Sequence, residues 1–229
     1  LIGLNRDELD LSQLPKDSLY DPKKDDDNLS GVQIRATITF RITNPDGTVV
    51  REWTEPAHSL NENFGLFINA LWGATTVSMT NTAGDGVSVD GASGGTAEIT
   101  AASGNTAYGI VVGSGASAGS TPSPTLYNLV AQIPQGTSSG QIEYGAVSVS
   151  SVSTSGQTTS FTITRSFTNV SGATLTVTEI GLVAVIAGWN MGAYEGGTFF
   201  LIAYDIPSSA ISVQNGQTLT ITYTFSVTT

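Results

Sequence analysis

The chain has 229 residues, a formal net charge of −11 and no cysteine. After Arg51 a single cation, Arg165, remains, and all three lysines (Lys16, Lys23, Lys24) lie near the start. A surface this poor in cations cannot neutralise phosphates, which excludes nucleic-acid partners and argues against anionic membranes and Lys- or Arg-dependent phosphoryl chemistry. The missing cysteines exclude thiolate metal sites and thiol nucleophiles. A chain this long buries roughly 70% of its unfolded surface and needs no disulfide staple. No run of 18 apolar residues occurs, so no membrane insertion by a helix is expected. Leu1 in place of methionine fits a chain that has lost a signal peptide, and equally a shortened one.

Residues 1–31 differ from the rest: they carry eight of the nineteen acidic residues and four of the eight basic ones. Tyr20-Asp21-Pro22-Lys23-Lys24-Asp25-Asp26-Asp27 has no apolar periodicity and reads as an acidic linker. Ahead of it stand Leu1, Ile2, Leu4, Leu9, Leu11 and Leu14. These define an extended N-terminal arm whose apolar residues are expected to pack on a neighbouring subunit. The body is expected over 32–229.

The body opens with a strand in which Val32, Ile34, Ala36, Ile38, Phe40 and Ile42 alternate with polar residues, giving one buried and one wet face. Asn44-Pro45-Asp46-Gly47 predicts a turn, and Val49, Val50 and Trp53 predict the return strand of a hairpin. One amphipathic helix is expected near 59–72. Ser59 and Glu62 would form its capping box, Leu60, Phe64, Phe67, Ile68 and Leu71 its apolar face, and Trp72 the end of its core. Strands are expected near 75–80, 86–90, 96–102 and 106–112, with an exposed loop from Gly113 to Ser123. Further strands are expected at 140–152, 158–168, 173–187, 198–205 and 209–214. The last, 217–228, alternates cleanly after the hairpin signal Asn215-Gly216 and should be central. Many short strands joined by turns predict an antiparallel β-sandwich, jelly-roll or immunoglobulin-like, with strand residues at least threefold in excess of helical ones.

The chemistry-bearing residues are few. His58, the one histidine, has no Gly-x-Ser-x-Gly elbow to serve and reads as a polar residue before the helix. Glu98, Glu143, Glu179, Glu195 and Asp205 show no glycosidase spacing. Asp25-Asp26-Asp27-Asn28 lacks the alternation of a calcium loop, so no metal or cofactor is expected. Arg165 and Glu179 each sit within an apolar strand, at near-symmetric distances from the turn Asn169-Val170-Ser171-Gly172. A buried charge needs a partner, and the two are expected to form a structural ion pair. An apolar phase shift across Glu179-Ile180-Gly181 suggests a β-bulge. Asn28-Leu29-Ser30 and Asn169-Val170-Ser171 fit the N-glycosylation rule. Among the aromatics, the loop from Trp189 to Tyr194 is the best candidate for ligand contact or a subunit interface.

Residues 161–184 contain Arg165-Ser-Phe-Thr-Asn-Val-Ser-Gly172 followed by Val177-Thr-Glu-Ile-Gly-Leu182. This hairpin is similar to one in structural proteins of tailed phages and related viruses. The ending from Asn215 is similar to their closing strand, and the early hairpin followed by Asn63-Phe64 also fits. The resemblance implies a fold and a virion role, and it transfers no catalytic residue. In style, the Ser/Thr-rich body with an N-terminal arm also resembles secreted filament subunits of the bundling-pilus and thread type. There the arm fills a groove in the next subunit by donor-strand exchange.

Together these features lead us to expect a non-enzymatic, self-assembling subunit of an extracellular filament or virion surface, with copies of itself as partners. The alternatives are a carbohydrate-binding adhesin that attaches to cell-surface glycans through Trp189 and Tyr194, and a hydrolase using unplaced carboxylates.

Overall fold

The computed structural model of the chain describes residues 33–57, 60–194 and 196–229. The arm leucines, the acidic linker, Asn28, His58, Ser59 and Glu195 therefore lie outside the described residues. Within the body, strand residues exceed helical ones by far more than threefold.

Two long hairpin partners set the frame. Strand β1 (Gln33–Thr43) alternates strictly and returns through β2 (Val49–Pro56). The turn between them forms as its residues require: the Gly47 amide donates to the Asn44 carbonyl at 2.9 Å, and Gly47 takes φ +83°. The chain then enters helix α1 (Glu62–Gly73), the hairpin β3 (Thr76–Thr80) and β4 (Gly86–Asp90), and the short strands β5 (Gly95–Glu98) and β6 (Gly109–Gly113). After a long stretch without regular structure come β7 (Glu143–Tyr144), β8 (Ser148–Val149), β9 (Ser153–Ser155) and β10 (Thr158–Thr168). The last third contains β11 (Leu175–Val177), β12 (Glu179–Gly188), β13 (Thr198–Asp205), β14 (Ile211–Val213) and β15 (Thr218–Thr228).

Among the described residues the result is an all-β sandwich with one α-helix. One sheet runs β2-β1-β15-β10-β7, with β8 and β9 also on β10; the other runs β13-β12-β5, with β6 also on β12. Strand β15 pairs along its whole length with both β1 and β10, so the C-terminal strand is central, as its regular alternation predicts. On the outer face of this sheet, threonine hydroxyls pair across the strands, Thr164 with Thr222 at 3.0 Å and Thr168 with Thr218 at 3.0 Å. Cross-strand pairs of this kind contribute a few tenths of a kcal/mol to about 1 kcal/mol each.

Strand β12 is buried on both faces, which accounts for its nearly continuous apolar run. Its inner face joins the main core with Ile180, Leu182 and Val183. Its outer face supplies Ala184 and Ile186 to a second core, closed by Met79, Val87 and Val89 of the β3–β4 hairpin and by Phe67 of the helix.

Several elements depart from expectation. The strand expected at 140–152 is broken into β7 and β8. The β-bulge expected across Glu179-Ile180-Gly181 falls later, between Leu182 and Val183, where the β12–β13 register shifts; Thr178, whose amide donates to the Gly113 carbonyl at 2.9 Å, separates β11 from β12. Asn215-Gly216 does make a turn, with the Gln217 amide on the Gln214 carbonyl at 3.0 Å. It does not close a hairpin: β14 pairs with β11, while β15 pairs with β1 and β10. The helix cap is Asn61 rather than Ser59; its side chain accepts the Phe64 amide at 3.3 Å. Asn61 Nδ2 also donates to the Leu201 carbonyl at 2.7 Å, and Asn63 Nδ2 donates to the Thr80 carbonyl at 2.7 Å. The two asparagines thus bind the helix start to β13 and to the β3–β4 hairpin.

Candidate assembly groove

Five rungs of side chains cross the inner face of β1, β15 and β10 in register. In order they are Ile42–Leu219–Phe167, Phe40–Ile221–Arg165, Ile38–Tyr223–Ile163, Ala36–Phe225–Phe161 and Ile34–Val227–Thr159. The first three rungs are buried. Phe225 and Phe161, stacked at 5.3 Å, are only partly covered. Ile34 is 67% exposed and Val227 37%. The apolar pattern of the long sheet therefore continues two rungs past its cover.

The uncovered rungs form the floor of an open groove of about 450 Å³. Its walls include Val152, itself 67% exposed, Ile202 of β13 and Phe64 of α1. Among the described residues no charged one lines it; Thr159, Ser160 and Ser226 are its polar members. The described lining is suited to apolar groups and offers no charged side chain to hold an ion or polarise a bond.

Deep in the covered rungs sits Arg165, fully buried. Its Nε donates to the Gly145 carbonyl at 2.8 Å and Nη1 to Ile110 at 2.8 Å and Tyr108 at 3.2 Å. Nη2 donates to the carbonyls of Asn105 and Ala102. All five N–H groups are therefore spent on backbone oxygens. The guanidinium also lies 4.8 Å from the Tyr144 ring centre. Burial pulls its pKa down to about 10, partly offset by Tyr144 and Tyr108, so it stays charged at neutral pH.

Glu179 is equally buried. Its Oε1 accepts the amides of Gly115 at 2.9 Å and Ala131 at 2.8 Å. Its Oε2 accepts the Val130 amide at 2.8 Å and the Tyr204 hydroxyl at 2.9 Å. Burial, then the hydrogen bond to Glu179 and its charge, push the Tyr204 phenol up. A Cβ on Gly113 would collide with the Glu179 carboxylate and the Ala131 carbonyl, so glycine is needed there for the loops to close on the anion.

The expected ion pair is thus not formed. Arg165 and Glu179 are both buried, but each is neutralised by backbone dipoles instead of by the other. Carbonyls of 102–110 and 145 surround the cation, and amides of 115 and 130–131 surround the anion. Among the described residues, the ion pair within 4 Å is Arg41–Glu52 at 3.3 Å, half exposed and worth under about 1 kcal/mol.

Other expected site residues also move. Trp189 is 5% exposed and packs edge-on to Phe67 at 5.6 Å in the second core. It adopts φ +57°, and Asn190 φ +51°; a Cβ on Gly95 would strike its indole. This left-handed pair turns the ring inward, so it offers no sugar platform. Tyr194 is half-buried, its hydroxyl 3.3 Å from Asp85, whose charge raises the phenol pKa. Trp72, expected to end the helix core, is instead 78% exposed. Asn169 is fully buried; its Nδ2 donates to Ala173 and Val213 carbonyls, both at 2.7 Å. The folded chain therefore presents no Asn169 amide for glycosylation.

A second recess, about 600 Å³, is lined by Glu55, Gly119–Pro122, Ile206 and Ser208. Burial raises the Glu55 pKa. Hydrogen bonds from the Ser208 hydroxyl and amide and from the Trp53 indole, with the Arg51 charge, outweigh this and hold it below its ordinary value. Among the described residues Glu55 is the one acid lining this recess, whereas glycoside hydrolysis uses two carboxyl groups. No helix of the described residues is long and apolar enough to cross a membrane. The chain matches no family model, no curated protein and no solved structure.

Proposed function

We propose that this protein is a non-enzymatic structural subunit that assembles with copies of itself into an extracellular filament or virion surface, joined through its N-terminal arm. The observation that carries this reading is the groove: an apolar inner sheet face left uncovered on the strand that follows the arm directly. Surfaces of this kind, rimmed by hydroxyls, are characteristic of protein contacts. A second support is the use of the buried charges. Arg165 and Glu179 are saturated by the backbone and hold loops in place, which is architecture and leaves neither free for chemistry. The outer threonine pairs and the absence of lysine after Lys24 suit a cation-poor, hydroxyl-coated exterior.

The test is sedimentation velocity and electron microscopy of the full chain beside a chain lacking residues 1–20. The full chain should form concentration-dependent assemblies. The shortened chain should keep the same circular dichroism spectrum and sediment as a monomer. Equal assembly by both would remove the arm as the connector.

A further inference from the structure

We propose that the groove on β1, β15 and β10 receives residues 1–14 of a second copy of this chain. The proposal rests on the assembly reading above and adds where the contact is made.

The chemistry matches on both sides. The groove has an apolar floor and, among the described residues, no charged one. Residues 1–14 supply Leu1, Ile2, Leu4, Leu9, Leu11 and Leu14. Within them Glu8-Leu9-Asp10-Leu11-Ser12 alternates, so an extended run turns its leucines to one side and its carboxylates to water. Leucines two apart on a strand repeat at about 7 Å, the spacing of the successive rungs headed by Ile34 and Ala36. The apolar surface also continues beyond the groove. Phe64 stands in its wall, and Ile68, Leu71 and Trp72 follow on the same helix face, with Leu71 45% and Trp72 78% exposed. That stripe adds about 12 Å of helix and gives the remaining apolar side chains a surface to meet.

Length and connection point to a second copy as the donor. Strand β1 starts at Gln33, and Ile34 already belongs to the groove floor, so the arm of each copy is joined in sequence to a strand of its own groove. Residues 15–32 include Pro15, Pro22 and the charged run Asp21–Asp27, a composition that favours extension over a tight reversal. Fully extended, they reach up to about 60 Å, against a diameter of about 40 Å for a compact unit of this size. A linker of that reach is long enough for residues 1–14 to enter the groove of a neighbouring copy.

The absence of cysteine makes the test clean. Full-length Leu11→Cys and Val152→Cys chains are mixed and oxidised, with Leu11→Cys plus Thr54→Cys, on the outer sheet face, as the control. Disulfide-linked dimers should form at least tenfold faster in the first mixture and be suppressed by excess unmodified chain. Independently, Val152→Glu, at an exposed position that leaves the circular dichroism spectrum unchanged, should raise the concentration for half-assembly at least tenfold. If the unmodified chain assembles but the two mixtures cross-link alike, or Val152→Glu assembles normally, the groove assignment falls while the assembly reading stands. A Leu11→Cys/Val152→Cys chain that closes only on itself would show that each arm fills its own groove, and would overturn the second-copy donor. A full chain that stays monomeric at every concentration would end the assembly reading, and the groove proposal with it.

Discussion

The two ends of strands β1, β15 and β10 have the same sequence pattern and opposite fates. At one end, Ile42, Leu219 and Phe167 are buried beneath the second sheet; at the other, Ile34 and Val227 face open space. The covered end even accommodates a charge, Arg165, while the uncovered end has apolar side chains with no cover. Burial is therefore decided by how far the opposing sheet extends, and alternation only marks which face is available for it. The contrast separates what holds this molecule together from what it offers to another.

The largest expected effects test the covered end. Arg165→Met and Glu179→Leu should each destabilise the fold by roughly 3–5 kcal/mol, because each strands several buried backbone groups. Since the two side chains share no hydrogen-bond partner, the double variant should cost about the sum, with a coupling below about 0.5 kcal/mol. Urea unfolding of the four chains measures this. A double variant much less destabilised than the sum would restore a direct pair.

These two residues also mark the limit of the sequence. That both are buried was legible, since each sits on the inward phase of an apolar strand. Their partners were not, because backbone carbonyls and amides carry no residue-type signal. Trp189 failed for a related reason: Gly-Trp-Asn-Met-Gly reads as a surface loop, and only two successive left-handed residues turn the ring into the second core. The missed cap has a local cause as well. Asn61 serves β13 and the helix start at once, a tertiary demand that the Ser59–Glu62 spacing does not reveal. The central place of β15, the first hairpin and the single helix were all legible, because periodicity and turn chemistry are local. The groove was not: alternation from Val32 to Ile42 is uniform, and the shortness of the opposing sheet is written elsewhere in the chain.

A smaller effect should appear in alkali. Tyr223 is fully buried at the third rung and donates to Asp205 at 2.8 Å. Burial, then the Asp205 charge, raises its pKa well above 10. Tyr144 and Tyr204 shift the same way, each led by burial. Below pH 10 the phenol is protonated in both folded and unfolded chains, and its contribution is fully present. Above pH 10 the unfolded chain releases the proton and the folded one does not, so stability falls as pH rises. For Tyr223 the slope is up to about 1.4 kcal/mol per pH unit. Arg165, lowered to about 10, opposes this as one group in the window above that value. Urea unfolding between pH 9 and 11 should show the decline, and Tyr223→Phe should make it shallower. An unchanged slope would mean that this phenol titrates no differently on folding.

The smallest expected effect is the most direct test of the contrast between the two ends. Ile38 and Ile34 share a strand and a face, four residues apart, but Ile38 is 2% exposed and Ile34 67%. Ile38→Ala removes packed methyl groups and leaves a cavity, at about 2–5 kcal/mol. Ile34→Ala removes atoms that already face solvent, so the isolated subunit should change by less than about 0.5 kcal/mol. The comparison must be made by denaturation at low protein concentration, where copies are apart. The order should then reverse in association: Ile34→Ala should weaken assembly, while Ile38→Ala should act only through the folded fraction. Equal stability losses at the two positions would mean that Ile34 is covered within its own subunit, and the open end would then be closed by the chain itself.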